Sequence, residues 1–378
     1  MSIRLTEDQA ELKALIGSFM ENEVKPQLRE LDEKGDFPVA LYKKAFDLGF
    51  HCLAIPEEYG GSGCDHTTMG ILLEEIGHTD PGFAITILCT ALALECVLIG
   101  GNEAQKKKVC DIIVPGGFGS FCLTEPGNGS DSVAMRTTYR RDGDSFVLNG
   151  SKCFVTNGQE AGVFIVFATK DRSLGAKGIS AFIVEPGTPG LAVGKHEDKM
   201  GLRLSNTTDV ALTDVRIPAE NLLGEEGKGM RIALAGLDQG RLNNAAIATG
   251  ICQAALDAAV DYAKQRESFG VPIIRHQAIQ MMLADMAIQT EAARLLVYNG
   301  MQALDAGQRV SKEASMAKTF CGDSAVKVAT DAVQVLGGYG YSKEYPVEKM
   351  MRDSKIFQIF EGTNQIQRVV IARTLEKE

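Results

Sequence analysis

The chain has 378 residues, 45% hydrophobic and 23% charged, with a formal net charge of −10 at neutral pH. That length accommodates two or three well-buried domains, and an acidic balance with no basic cluster beyond Lys106-Lys107-Lys108 argues against a nucleic-acid partner. Residues Met1 to Glu21 lack the basic, apolar, small-residue order of a secretion signal, and no uninterrupted apolar stretch reads as long enough to span a bilayer, so no membrane partner is expected.

Nine cysteines are an odd number, widely spread and without a C-x-x-C pair, which points to reduced thiols and a cytoplasmic location. Five scattered histidines give no metal-ligand spacing, and tryptophan is absent.

From Thr6 to about Gly116 the pattern is helical. Leu12, Leu15, Ile16 and Phe19 recur at three- and four-residue spacing, as do Leu72, Leu73 and Ile76, and a strongly apolar segment runs from Ala84 to Leu98. The period changes at Pro115-Gly116-Gly117. Between Gly119 and Asn221, short β-rich runs such as Phe146 to Leu148, Val163 to Ala168, Ile179 to Val184 and Val210 to Ile217 alternate with turns at Asp142-Gly143-Asp144, Asn157-Gly158 and Pro186-Gly187. No helix-length crossover separates them, so an antiparallel sandwich or barrel is expected. From about Gly229 long helices return: Arg241 to Arg266, Gln277 to Ala306, Lys312 to Leu336 and Tyr345 to Ile359, Ala-rich enough for tight packing and subunit contacts.

The segment Phe360-Glu361-Gly362-Thr363-Asn364-Gln365 sets a lone carboxylate between an apolar neighbour that could raise its pKa and a glycine that admits a ligand to the backbone. A general base acting beside a carbonyl needs both. The bland alternative is an exposed glutamate before a helix capped by Thr363 and running through Arg368. Leu123-Thr124-Glu125-Pro126-Gly127-Asn128-Gly129-Ser130-Asp131 could cradle a phosphate or a cofactor edge, and serves equally well as a plain turn. Phe154 and Thr156 sit two apart on a strand, an aromatic cover and a hydroxyl for a flat cofactor or merely a half-buried strand end. Asp238 and Arg241, at i, i+3 where a long helix opens, either grip a polar group together or make a local ion pair. Arg266 suits a phosphate, and Gln334 to Gly340 ends a helix in glycines.

In this order the segments resemble the acyl-CoA dehydrogenase family over essentially the whole chain. Leu123 to Asp131 looks like the family's T-E-P-x-x-G-S-D loop, Phe154 to Thr156 stands at its W-x-T position, and Arg266-x-x-Phe269-Gly270, Gln334 to Gly338 and Glu361-Gly362-Thr363 match further segments. The resemblance implies an α+β architecture: an N-terminal α-helical domain (1–118), a middle antiparallel β domain (119–225) and a C-terminal four-helix-bundle domain (226–378), assembled as a homotetramer. It implies FAD touched by Leu123, Thr124, Ser130, Phe154, Thr156, Thr363 and Gln365. Arg266, Phe269 and Gln277, with Gln334, Gly337 and Gly338 of a neighbouring subunit, would hold its ADP half. Ser130, Asp238, Arg241 and Gly362 would position a coenzyme A thioester. Glu361 would take the α-proton while the β-hydrogen leaves as hydride to flavin N5, giving a trans-2-enoyl thioester and passing electrons to an electron-transferring flavoprotein. Its backbone N–H and a flavin ribityl hydroxyl would hydrogen-bond the thioester carbonyl.

Some positions depart from the family pattern. Phe154 replaces the usual Trp, Phe360 stands where Tyr is common, and Gly240 leaves no acid before Arg241, where some relatives carry their base. The 84–98 segment is polar only at Thr86, Thr90 and Glu95 and has no Arg for a second carboxylate, which favours a short or compact neutral acyl group. Related functions within the resemblance are an enoyl-CoA reductase running in reverse and a desulfinase-like, non-redox flavoprotein; the presence of Glu361 disfavours the second.

Overall fold

The computed structural model describes residues 5–378, so the first four residues of the expected N-terminal domain lie outside it. The chain opens with α1 (Glu7–Phe19), α2 (Leu28–Lys34), α3 (Val39–Asp47), α4 (His66–Thr79), α5 (Pro81–Gly100) and α6 (Glu103–Ile113). Side-chain caps set several of their starts. Thr6 and Asn102 form reciprocal capping boxes with Gln9 and Gln105, and Asp65 and Asp80 accept from the amides of Thr68 and Phe83.

Helix α5 corrects one expectation. With Glu95 its only charge, it is long and apolar enough by composition to cross a membrane, yet 72% of its most apolar window is buried inside the protein. It is apolar on all sides because α4, α6, α7 and the first strand pack around it.

The strands are β1 (Phe118–Cys122), β2 (Thr138–Asp142), β3 (Ser145–Thr156), β4 (Ala161–Thr169), β5 (Ile179–Val184), β6 (Leu191–Val193), β7 (Thr207–Pro218) and β8 (Leu222–Leu223). They form one sheet in the order β6-β7-β3-β2-β4-β5-β8, with β1 beside β4. Most pairs are antiparallel, as expected, but β1 runs parallel to β4, and β2 touches β4 in parallel at one position. The intervening β2–β3 hairpin carries the chain back, which lets a parallel pair form without a crossover helix. Strand β4 is buried on both faces. Phe164, Val166 and Ala168 join Phe146, Phe182 and Val215 in the β core, while Val163, Ile165 and Phe167 pack toward Ala93, Val97 and Ile113 of the helices.

The C-terminal region begins with α7 (Gly229–Gln265), followed by a hairpin of β9 (Glu267–Ser268) and β10 (Val271–Pro272). Then come α8 (Gln277–Asp305), α9 (Ser311–Leu336), α10 (Val347–Ser354) and α11 (Asn364–Leu375). Helices α7, α8 and α9 pack together, and the fourth place in the bundle is divided between α10 and α11, both against α9. Helix α7 starts twelve residues before the expected Arg241, so Asp238 to Arg241 lie inside a helix rather than opening one. The cause is a run of good helix formers, Met230 to Leu237, that hides the boundary.

A buried ionic cluster ties the segments. Lys349 of α10 bridges Asp80, the cap of α5, and Asp353, whose carboxylate accepts the Leu202 amide at 2.7 Å; Arg352 reaches Asp32 of α2 at 2.8 Å.

Candidate active site

Glu361 lies in the short turn before α11, with φ at +57°, a left-handed conformation that costs a non-glycine residue of order 1–3 kcal/mol. Neighbours hold it there. The Gln367 amide donates to the carbonyls of Glu361 and Gly362 at 3.0 and 3.2 Å, and Arg241 Nε lies 3.4 Å from the Glu361 carbonyl oxygen. Gly362 has φ +88°, and a Cβ on it would strike Gln367 Nε2 at 2.6 Å, so only glycine fits.

The Glu361 carboxyl points inward. Its Oε2 is buried without a hydrogen-bond partner, and it sits against α7, where a Cβ added to Gly240 would lie 3.2 Å from that oxygen. Burial pushes its pKa up to about 7, against the opposing pull of Arg241 and Lys318. Lys318 on α9 is fully buried, with its ammonium 2.8 Å from Asn364 Oδ1, and burial brings its own pKa down to about 8. Asn364 in turn donates to the Thr319 carbonyl and to Asp323. Lys318 was not singled out in sequence, because it meets Asn364 only where α9 packs on α11; Asn364 and Gln367 lie in the hydrogen-bonding run after Glu361 but were given no individual role. Thr363 caps α11, accepting from Ile366 N at 3.3 Å, and the helix extends past the expected Arg368 to Leu375. Gln365 is exposed.

Asp238 and Arg241 do form the local ion pair, at 2.6 Å, and Ser311 Oγ donates to the other Asp238 oxygen. Arg241 is thereby fixed with one edge on Asp238 and the other toward Glu361.

The 123–131 loop owes its shape to Glu125. This buried carboxylate accepts from the amides of Arg136 and Thr137 at 2.6 and 2.9 Å and from Lys152 Nζ at 2.8 Å, while Lys152 also donates to the Leu123 carbonyl at 3.1 Å. Burial raises the Glu125 carboxyl, but Lys152 and the donated hydrogen bonds outweigh that and lower it to about 2. Leu123 is buried, Thr124 is half-buried with its carbonyl accepting from Cys153 N, and Ser130 is exposed; a Cβ on Gly127 or Gly129 would meet nothing. Phe154 lies in a bulge of β3 with φ +55° and a side chain 70% exposed, next to half-buried Thr156. The Cys89 thiol of α5 is influenced by both Thr156 and the charge of Glu361, which brings the strand end and the carboxylate to one place.

The remaining candidates form a second group. Arg266, Phe269, Gln277, Gln334, Gly337 and Gly338 are all exposed; Phe269, at the tip of the β9–β10 hairpin, is 97% exposed with φ +50°. The Arg266 guanidinium sits 5.9 Å from the Tyr339 ring centre, so the hairpin and the end of α9 share one surface. Twenty-five residues of α7 separate Arg241 from Arg266, about 37 Å along the helix. Within one protomer the two groups cannot serve the same ligand.

Three family models match in chain order: "Acyl-CoA dehydrogenase, N-terminal domain" over residues 6–116, "middle domain" over 120–215 and "C-terminal domain" over 227–376. The chain belongs to the acyl-CoA dehydrogenase family. It is similar to butyryl-CoA dehydrogenase of Megasphaera elsdenii, with a TM-score of 0.97 and 44% identity over all of both chains. It is equally similar to a chain in a solved structure described as the electron-transferring flavoprotein of Acidaminococcus fermentans, with a TM-score of 0.97, 45% identity and full coverage of both. Cyclohex-1-ene-1-carbonyl-CoA dehydrogenase of Syntrophus aciditrophicus is 45% identical over 98% of this chain and 90% of its own. Acyl-CoA dehydrogenases depend on FAD, and the exposed Phe154 face beside Thr156, the open glycines of the 123–131 loop and the unpartnered Glu361 oxygen suit a flat cofactor with a thioester against it.

Proposed function

We propose that the chain removes hydrogen from the α and β carbons of a short or compact neutral acyl-CoA, giving the trans-2-enoyl-CoA, with Glu361 as the base. The observation that carries this is the Glu361 carboxyl itself: inward-facing, with one oxygen unpaired, held by a strained backbone and tuned to about 7. A base near neutrality is deprotonated for a substantial fraction of the protein at working pH and still strong enough to take a carbon-bound proton. Arg241 and Lys318 keep the carboxylate available; without their positive charges burial would lift the pKa further.

The Glu361 N–H is assigned to the thioester carbonyl, where it would hold the negative charge that develops as the α-proton leaves. Gly362 lets the thioester approach that backbone. Ser130, Asp238 and Arg241 are assigned to the coenzyme A thioester. Leu123, Thr124, Ser130, Phe154, Thr156, Thr363 and Gln365 are assigned to the flavin half of FAD, and Arg266, Phe269, Gln277, Gln334, Gly337 and Gly338 to its ADP half. Bound FAD supplies the two-electron acceptor for the hydrogen that leaves the β-carbon. The 37 Å between the two residue groups supports a cofactor shared between copies of the chain, as does the apolar stripe of Met281, Ile288 and Leu295 exposed on α8 at seven-residue intervals. We assign a homotetramer divided near residues 118 and 225, a cytoplasmic location in keeping with nine free cysteines, and an electron-transferring flavoprotein as the electron acceptor.

The test is an anaerobic titration of FAD-loaded protein with butyryl-, isobutyryl-, hexanoyl- and cyclohexanecarbonyl-CoA. Flavin bleaching by one member names the acyl class, and no bleaching by any member, with FAD bound, refutes dehydrogenation.

A further inference from the structure

The seam between α5 and α7 can be followed through its glycines. A Cβ on Gly100 would meet Ile232, one on Gly236 would meet Cys96 and Leu92, one on Gly240 would meet the Glu361 carboxylate, and one on Gly77 of α4 would meet Ile247. The helices therefore run antiparallel, with Glu361 set into the middle of the seam. Asn244 lies between the last two contacts, one turn of α7 past Gly240 and about 6 Å deeper. The register places it roughly opposite Thr86 to Leu88.

Asn244 is buried, and neither its amide nitrogen nor its amide oxygen has a hydrogen-bond partner. Both orphaned atoms belong to one side chain, in a helix that is otherwise rich in alanine, and among the described residues no hydrogen-bond partner offsets that desolvation. Several other polar groups nearby are already engaged, although Glu361 Oε2 and Asn157 Oδ1 are also without a partner. The Thr90 hydroxyl donates to the Thr86 carbonyl, the Asn157 amide bonds both, and Arg241 and Lys318 are held by Asp238 and Asn364. Side chains lean toward the N-terminus of their helix, which tips the Asn244 amide back toward the level of Glu361. With the α-carbon at Glu361, the amide stands level with atoms two or three carbons further along the acyl chain.

Building on Glu361 as the base for an acyl thioester, we propose that Asn244 is a specificity-determining residue and that the preferred acyl group carries a neutral oxygen, hydroxyl or carbonyl, on its fourth or fifth carbon. An amide both donates and accepts, so it satisfies such an oxygen in either orientation. A carboxylate there would enter without a counter-charge.

The test uses FAD-loaded protein carrying Glu361→Gln, so that ligands bind without turnover, and measures calorimetric Kd values for butyryl-CoA and 4-hydroxybutyryl-CoA, and for pentanoyl-CoA and 5-hydroxypentanoyl-CoA. Asn244→Leu and Asn244→Val are made in the same background, the second guarding against overfilling by the first. At least one hydroxylated ligand should bind about tenfold tighter than its alkyl counterpart when Asn244 is present, with the preference lost in both variants. Equal affinities with Asn244 present, or a ratio unchanged by either substitution, overturn the proposal while leaving the thioester site intact. Failure of every thioester to bind overturns both.

Discussion

Replacing Gly240 by alanine separates stability from activity. The glycine lies inside α7, so helix propensity alone favours alanine by about 1 kcal/mol, which should raise the unfolding midpoint by about 2 °C. The added Cβ would stand 3.2 Å from Glu361 Oε2 and 3.6 Å from Oε1 and Cδ. Those distances are tight, and the carboxylate must retreat by a few tenths of an ångström. A misplacement of 1 Å at a reacting group costs about 10²-fold, so a smaller retreat should slow flavin reduction about tenfold. Differential scanning calorimetry and anaerobic stopped-flow reduction by the acyl-CoA that bleaches the flavin measure the two effects, with FAD content as the control. A protein that is more stable and equally fast would refute the placement of the working carboxylate against α7.

Other consequences follow from the same geometry. The rate of flavin reduction at low substrate should rise with pH through an inflection near 7, where Glu361 loses its proton, and Lys318→Met should move that inflection to higher pH by removing a positive charge. The sign for stability is opposite: the native carboxyl holds its proton up to about 7 and the unfolded one to about 4.5, so this group stabilises most below 4.5, and the contribution is lost as pH rises through 7. Denaturation curves of Glu361→Gln should lack that loss. Lys152→Met leaves the buried Glu125 carboxylate without its ammonium, and should cost about 3–5 kcal/mol in denaturant titration and release FAD from the loosened 123–131 loop. Lys349→Met, which strands Asp80 and Asp353, should destabilise by a similar amount without moving the pH inflection, since the cluster ties the segments rather than the site.

The order of helical, β and helical segments was legible because side-chain period changes at Pro115 and Gly229, and Glu361 was legible from the Phe360-Glu361-Gly362 segment, although the groups that surround its carboxyl, Gly240, Arg241 and Lys318, come from α7 and α9. Contacts made across the fold were not. Lys318 reaches Asn364 forty-six residues away, and Arg241 of α7 reaches the Glu361 carbonyl. Helix α5, read in sequence as a strongly apolar segment too short to span a bilayer, has the length and composition of a membrane helix because partners distant in sequence bury most of it. Glu125 drew attention as part of a cofactor loop, whereas its carboxylate is spent on Lys152 and two backbone amides and supports the loop from beneath.

The most direct test of Glu361 as the base is single-turnover flavin reduction by the bleaching acyl-CoA, unlabelled and deuterated at C2, in the native protein and in Glu361→Gln. The account predicts reduction that deuterium slows in the native protein, and a flavin that stays oxidised in the variant although FAD and thioester still bind. Reduction of the variant at the native rate would contradict it.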